Sequence, residues 1–153
     1  VARKIADCRF IVAASPSYIK ENGLPLRPAE LAQHKCITYH SNERRFNEWE
    51  FTRDGVHQVV KVQSIFKIDN ASAILDATKA GAGIAYLASY LLEDEFENGS
   101  LIQILKEWQA DMELPIYAVY SRRQHLPPKV RTFIDFLSQQ VGNPPHWDKK
   151  LFN

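Results

Sequence analysis

Phe66-Lys67-Ile68-Asp69-Asn70-Ala71-Ser72-Ala73-Ile74-Leu75-Asp76-Ala77-Thr78-Lys79-Ala80-Gly81-Ala82-Gly83-Ile84-Ala85 reads as a strand, a capped helix, a glycine stop and a second buried strand. Phe66 and Ile68 alternate with polar neighbours, and the run ends at Asn70, whose side chain can accept a hydrogen bond from the first free helical N–H groups. Ala71, Ile74, Leu75 and Thr78 then fall at the spacing of one helical face. A helix therefore opens directly off a strand end. Open α/β sheets hold small molecules at such junctions, where unpaired N–H groups and the helix dipole favour an anion.

The same punctuation continues on both sides. Upstream, Cys8 to Ala14 is a β-rich run, apolar on both faces after Arg9, as expected of a strand covered by helices. Ser15-Pro16 is an N-cap and first-turn pair, and Gly23 ends that short helix. Pro28 opens a second short helix through Leu31, and Cys36-Ile37-Thr38-Tyr39 returns as a strand. The polar residues 41–47 form a loop. Asp54-Gly55 is the two-residue turn of an antiparallel hairpin between Trp49–Arg53 and Val56–Val62.

Downstream, Ser89 is placed to cap a helix carrying Leu91, Leu92 and Phe96, with Asn98-Gly99 ending it in a turn. Leu101–Leu105 and Pro115–Tyr120 are predicted strands, the second too apolar to face solvent on either side. Pro127-Pro128 starts the clearest helix, in which Val130, Phe133, Ile134, Leu137 and Val141 repeat on one face. Beyond Gly142 the pattern stops, and residues 146–153 are expected to be a loose tail.

Composition narrows the class. With 153 residues and 45% hydrophobic content, the chain can bury a core without disulfides or metal. Nineteen basic residues against 18 acidic ones, with no long basic run, leave no phosphate-binding stripe for nucleic acid. Cys8 and Cys36 lie in apolar runs without pair spacing, so buried free thiols in a reducing compartment are expected. No stretch reaches the length of a membrane span, the start has no secretion-signal core, and the missing initiator Met suggests an excised fragment.

Catalytic signatures are weak. His34 and His40, six apart across a helix-to-strand junction, fit no metal spacing, and neither H-E-x-x-H nor C-x-x-C occurs. Gly81-Ala82-Gly83 follows a helix and enters a strand, the reverse of a dinucleotide loop, and Tyr86 stands where its third glycine belongs. No G-x-S-x-G elbow is present. Glu93-Asp94-Glu95 with Glu97 is a solvated face rather than a catalytic pair. Tryptophans 49, 108 and 147 are packing residues, and Phe66 is the aromatic retained as a ligand cover. No catalytic residue, metal ligand or cofactor is assigned.

What remains is a shelf formed by the helix start at Asn70, the loop around Gly83, and the strand ends at Tyr39 and Ile68. Two readings stand side by side. The shelf accepts a carboxylate or similar anion, or Asn70 merely caps its helix while Gly81 and Gly83 serve as a C-cap and a close backbone contact.

Several ordered motifs together resemble the effector-binding region of LysR-type transcriptional regulators over about residues 3 to 141. They are Arg9-Phe10-Ile11-Val12-Ala13-Ala14-Ser15-Pro16-Ser17-Tyr18-Ile19 with Gly23-Leu24-Pro25, Leu31-Ala32-Gln33-His34-Lys35-Cys36-Ile37, and Trp49-Glu50-Phe51. Asp69-Asn70-Ala71, Ala80-Gly81-Ala82-Gly83-Ile84-Ala85, Gly99-Ser100-Leu101 and the stretch from Leu126 to Leu137 follow in order.

The resemblance implies an α/β fold: a type 2 periplasmic-binding-protein-like lobe with a central mixed sheet flanked by helices. To it are added the returning strand and helix of an otherwise missing first lobe. Residues 1–6 would be a crossover segment, 7–112 the effector-binding lobe two, 113–142 the returning strand and helix, and 143–153 the tail. That returning helix should pack in a nonstandard way against its own lobe or pair with another copy of the chain. Family pockets fall here on Phe66, Ile68, Asn70, Ala71, Gly83 and Ile84, with Tyr39 a further candidate. The implied partners are a small, anionic effector and further copies of the chain in a dimer or tetramer. DNA would be reached only through an N-terminal helix-turn-helix absent from this sequence. A cytoplasmic location without membrane contact, and no enzymatic turnover, follow from the same likeness. Two alternatives remain: part of a periplasmic solute-binding protein of a transporter, and a small cleft enzyme whose catalytic groups lie in the missing lobe.

Overall fold

In a computed structural model that describes residues 1–41, 46–112, 114–121 and 126–152, the chain divides into two compact units. One comprises Phe10–Met112, and the other Val1–Arg9 with Glu113–Asn153.

The larger unit is built on the apolar runs. Strands β2 (Phe10–Ala14), β3 (Cys36–Tyr39), β6 (Ser64–Ile68), β7 (Ile84–Ala88) and β8 (Ile102–Gln103) make one sheet in the order β6-β3-β7-β2-β8. The pairs β3/β6 and β3/β7 are parallel, while β2 runs antiparallel to β7 and β8, so the sheet is mixed. Its centre is dry: Ala13, Ala14, Ile84 and Ala85 have no exposed surface, as strands covered on both faces require. Helix α1 (Pro16–Asn22) starts where Ser15 Oγ accepts the Tyr18 N–H at 3.2 Å, and it stops at Gly23, which holds φ +86°. Pro28–Gln33 follows as a 3₁₀ turn. Helix α2 (Ala71–Lys79) is capped by Asn70.

A second, three-stranded sheet holds the hairpin β4 (Glu48–Arg53) and β5 (Val56–Lys61), with β9 (Gln109–Ala110) on the other side of β4. Asp54 and Gly55 both take positive φ at its turn, the twist a two-residue connection demands. Trp49 and Phe51 point inward and join Val12, Ala14, Tyr18, Cys36 and Ile84 in one core, whereas Glu48 and Glu50 stay exposed. The loop expected at 41–47 is described only at its ends, since 42–45 lie outside the described residues.

Two expectations for this unit need correction, and one strand was not expected. Ser89 caps no helix: Ser89–Leu91 is a single 3₁₀ turn, and Ser89 itself is buried with its hydroxyl unpartnered among the described residues. Four carboxylates at 93, 94, 95 and 97 would repel one another along a continued helix, and Leu92 leaves helical geometry just before them. The strand expected at Leu101–Leu105 shrinks to β8, because the chain turns at Leu105 with φ +54°. Strand β9 carried no alternating pattern long enough to be read.

In the smaller unit, β1 (Ala2–Ala6) pairs antiparallel with β10 (Ile116–Val119), and the ladder continues in reciprocal N–H···O bonds of 3.1 Å between Cys8 and Leu114. Strand β10 is not covered on both faces as expected. Among the described residues it pairs only with β1, and Tyr117 and Val119 are 50% and 79% exposed. Helix α3 (Pro128–Val141) begins at the predicted prolines, ends at Gly142 and lies against β1, where Arg3 pairs with Asp135. Of its apolar face Ile134 is buried, but Phe133 is 58% exposed. The expected loose tail contains a further helix, α4 (His146–Leu151), in which Asp148 is buried.

Two measurements test the packing. A Cβ at Gly83 would lie 2.6 Å from the Lys35 carbonyl oxygen, a backbone atom that cannot yield. Gly83→Ala should therefore lower the unfolding free energy measured by urea titration by at least about 1 kcal/mol more than Gly99→Ala, which meets no neighbour but has φ +76°. An equal loss would show that β3 and β7 are not so tightly apposed. Burial pushes the Cys36 thiol from 9.0 up to about 12. The unfolded chain then loses that proton first, so stability should fall as pH rises from about 9 toward 12, by up to about 1.4 kcal/mol per pH unit. Tyr18 and Tyr86, also raised by burial, add to the fall at higher pH. Cys36→Ala should flatten the part that starts near pH 9, and an unchanged slope in alkaline urea titrations would refute this.

Candidate functional site

Parallel strands β6 and β3 end side by side, Tyr39 in register with Ile68, and the His40 N–H donates to the Ile68 carbonyl at 2.9 Å. Two residues later, Asn70 turns the chain into α2. Its backbone is extended, its Oδ1 accepts the Ala73 N–H at 3.1 Å, and its carbonyl accepts the Ile74 N–H at 3.1 Å. Asn70 thus spends its side-chain oxygen on its own helix. Intrahelical geometry gives the N–H groups of Ala71 and Ser72 no acceptor, so they remain at the positive end of the helix dipole.

The register also fixes what faces this junction. Ile37 pairs with Phe66 and Tyr39 with Ile68, and residues two apart on a strand share a face, so these four side chains form one apolar strip. Tyr39 and Phe66 are 37% and 51% exposed, and the ring of Phe46 stands edge-on to Tyr39 at 5.6 Å between centroids. An apolar strip beside donor-rich backbone suits a small molecule with an apolar body and an anionic end.

Five of the seven predicted site residues, Tyr39, Phe66, Ile68, Asn70 and Ala71, gather at this end of the sheet. Gly83 and Ile84 do not, which corrects the expected convergence. Ile84 pairs with Cys36 and donates to the Lys35 carbonyl at 2.9 Å, so it enters the sheet three residues before Tyr39, roughly 10 Å along β3. A helix joining two parallel strands must run back along the sheet, so its C-terminal turn arrives at the end opposite its N-cap. That rule is visible in the order strand, helix, glycine turn, strand, and it separates Asn70 from Gly83 without coordinates. Ile84 has no exposed surface, and Gly83 is a close backbone contact. Ser89, which follows β7 at the same sheet end as Tyr39 and Ile68, was read as a cap; its buried, unpartnered hydroxyl instead belongs near the strand ends.

Elsewhere the titratable groups are engaged structurally. The Tyr18 hydroxyl accepts the Lys35 N–H and pairs with His34 Nδ1, both at 3.0 Å, and burial holds that imidazole below its ordinary value. His57 Nε2 lies 3.2 Å from Glu50 and 3.6 Å from Asp111, on the outward face of the hairpin. Among the described residues no group of three or more His, Cys, Asp and Glu side chains is arranged to hold a metal ion. No helix among them is long and apolar enough to cross a membrane.

The family model of the LysR substrate binding domain matches residues 1–142. An uncharacterised HTH-type transcriptional regulator of Haemophilus influenzae is 39% identical over 130 residues, covering 85% of this chain and 44% of the relative. The regulator CrgA of Neisseria meningitidis is 32% identical over 142 residues, covering 93% and 47%. Its structure superposes with a TM-score of 0.79 at 30% identity, covering 93% of this chain and 48% of CrgA. The full-length virulence activator AphB of Vibrio cholerae, a member of the LTTR family, gives 0.77 at 31% identity, covering 91% and 47%. The chain thus spans about half the length of these relatives, all of them transcriptional regulators. Its mixed sheet and helices carry the periplasmic-binding-protein-like fold of their regulatory domains. By the family match over residues 1–142 and these likenesses, the chain belongs to the LysR substrate-binding domain family.

Proposed function

We propose that this chain is the effector-sensing part of a cytoplasmic LysR-type regulator whose whole protein self-associates and reaches DNA through a helix-turn-helix outside this sequence. The single observation that carries the reading is the start of α2. There the N–H groups of Ala71 and Ser72, without intrahelical acceptors, follow directly on the strand end where Tyr39 pairs with Ile68, within a domain family that senses small molecules. An anionic effector seated there binds two conformations of the protein unequally. It acts only through that difference, shifting their populations and so the placement of the attached DNA readers.

Asn70→Asp separates the site from the fold. Aspartate caps a helix as well as asparagine does, and its charge suits the dipole, so stability should hold or rise. Its charge also repels an anion at Ala71 and Ser72. Thermal-shift titration with a panel of small carboxylates, including benzoate and succinate, should raise the melting temperature of the unaltered chain in proportion to occupancy. In Asn70→Asp the same shift should need at least about tenfold more carboxylate, a difference of about 1.4 kcal/mol. A shift untouched by the substitution would place the anion elsewhere and overturn the site.

A further inference from the structure

We infer that the segment after Gly142 is a strap that stiffens the chain where it passes from one unit to the other at Arg9. The family match stops at residue 142, whereas the chain continues through α4 to Phe152, so the feature lies outside the matched domain. The Arg9 guanidinium carbon lies 3.4 Å from the centroid of the Phe152 ring, a face-on contact that combines cation–π attraction with close packing. Phe152 is held in place by its own helix: its N–H donates to the Asp148 carbonyl at 3.0 Å, and Pro145 and Asp148 are buried.

Arg9 is the only residue between two fixed points. Cys8 on one side exchanges both backbone hydrogen bonds with Leu114, and Phe10 on the other stacks on Tyr86 with 5.4 Å between centroids and 17° between planes. Any rotation of one unit against the other must therefore twist the backbone at Arg9, and the part of that twist taken up about its N–Cα bond carries its side chain off the Phe152 ring. The strap's role as a hinge control rests on the population-shift reading above. Its existence does not, because the crossing can be probed without any effector.

Amide hydrogen exchange on the unliganded chain provides that probe. In Phe152→Ala, peptides covering residues 6–10 and 112–116 should exchange roughly two- to fivefold faster, the range expected for a partly exposed cation–π contact. Peptides from β7 should not change. Phe152→Leu, which keeps an apolar side chain but loses the ring, should move the same peptides in the same direction, as should Arg9→Lys, which loses the planar face. Unchanged exchange at the crossing, or a rise shared equally by β7, would overturn the strap. Carboxylate binding that fails in the thermal titration while the crossing responds to Phe152→Ala would instead count against the effector site alone.

Discussion

Tyr86 is the side chain on which the larger unit depends. Its ring packs between Phe10, the first residue of that unit, and Trp49 of the hairpin, with Phe51 edge-on. Its hydroxyl donates to the Glu50 carbonyl at 3.1 Å and accepts the N–H of Met112, the last residue of the unit, at 3.2 Å. One residue therefore ties the entry, the exit and the small sheet to the central strands. Both roles of the hydroxyl are satisfied, which is what makes a polar group tolerable there, and burial pushes the phenol well above its ordinary range. An aromatic pair of this kind contributes about 0.5–1.5 kcal/mol beyond area burial, and among the described residues Tyr86 makes three of them.

Much of the fold was legible because local chemistry and tertiary placement agreed. Ser15-Pro16, Asn70, Asp54-Gly55 and Pro127-Pro128 each specify a backbone geometry by themselves, and each element starts or turns where they stand. Trp49, expected to be a packing residue, is buried in the core. Readings failed where a residue pattern allowed two outcomes decided by distant contacts. Ile116 to Val119 is apolar enough for a sheet interior, but burial needs neighbouring strands, and β1 is its only described partner. Ser89 had the right chemistry for a cap, yet the carboxylates after it oppose a helix.

The site was half legible for a related reason. Sequence proximity brings Ile68, Asn70 and Ala71 together unaided, and Tyr39 joins them through parallel pairing of two strands 29 positions apart in the chain. Gly83 looked like part of the same shelf because glycines often mark places where a ligand approaches backbone. In the sheet it marks where another backbone approaches: the Lys35 carbonyl fills the space a side chain would need. Chain direction through a crossover decides between these two uses of glycine, and residue type does not.

Fixed points on either side of the crossings limit what any ligand can move. Between Cys8 and Phe10 one residue intervenes, and between Met112 and Leu114 one more, residue 113, which lies outside the described residues. Two conformations that differ in hinge angle must then differ in the backbone torsions at Arg9, since both of its flanks are hydrogen-bonded or stacked. A small number of torsions makes a hinge with few accessible states rather than a broad ensemble. A ligand worth a few kcal/mol of differential affinity suffices to exchange such states. The same economy makes each contact at the crossing count: a ring against a guanidinium, worth only about 0.5–1 kcal/mol on an open surface, acts here on a residue whose two neighbours are already held.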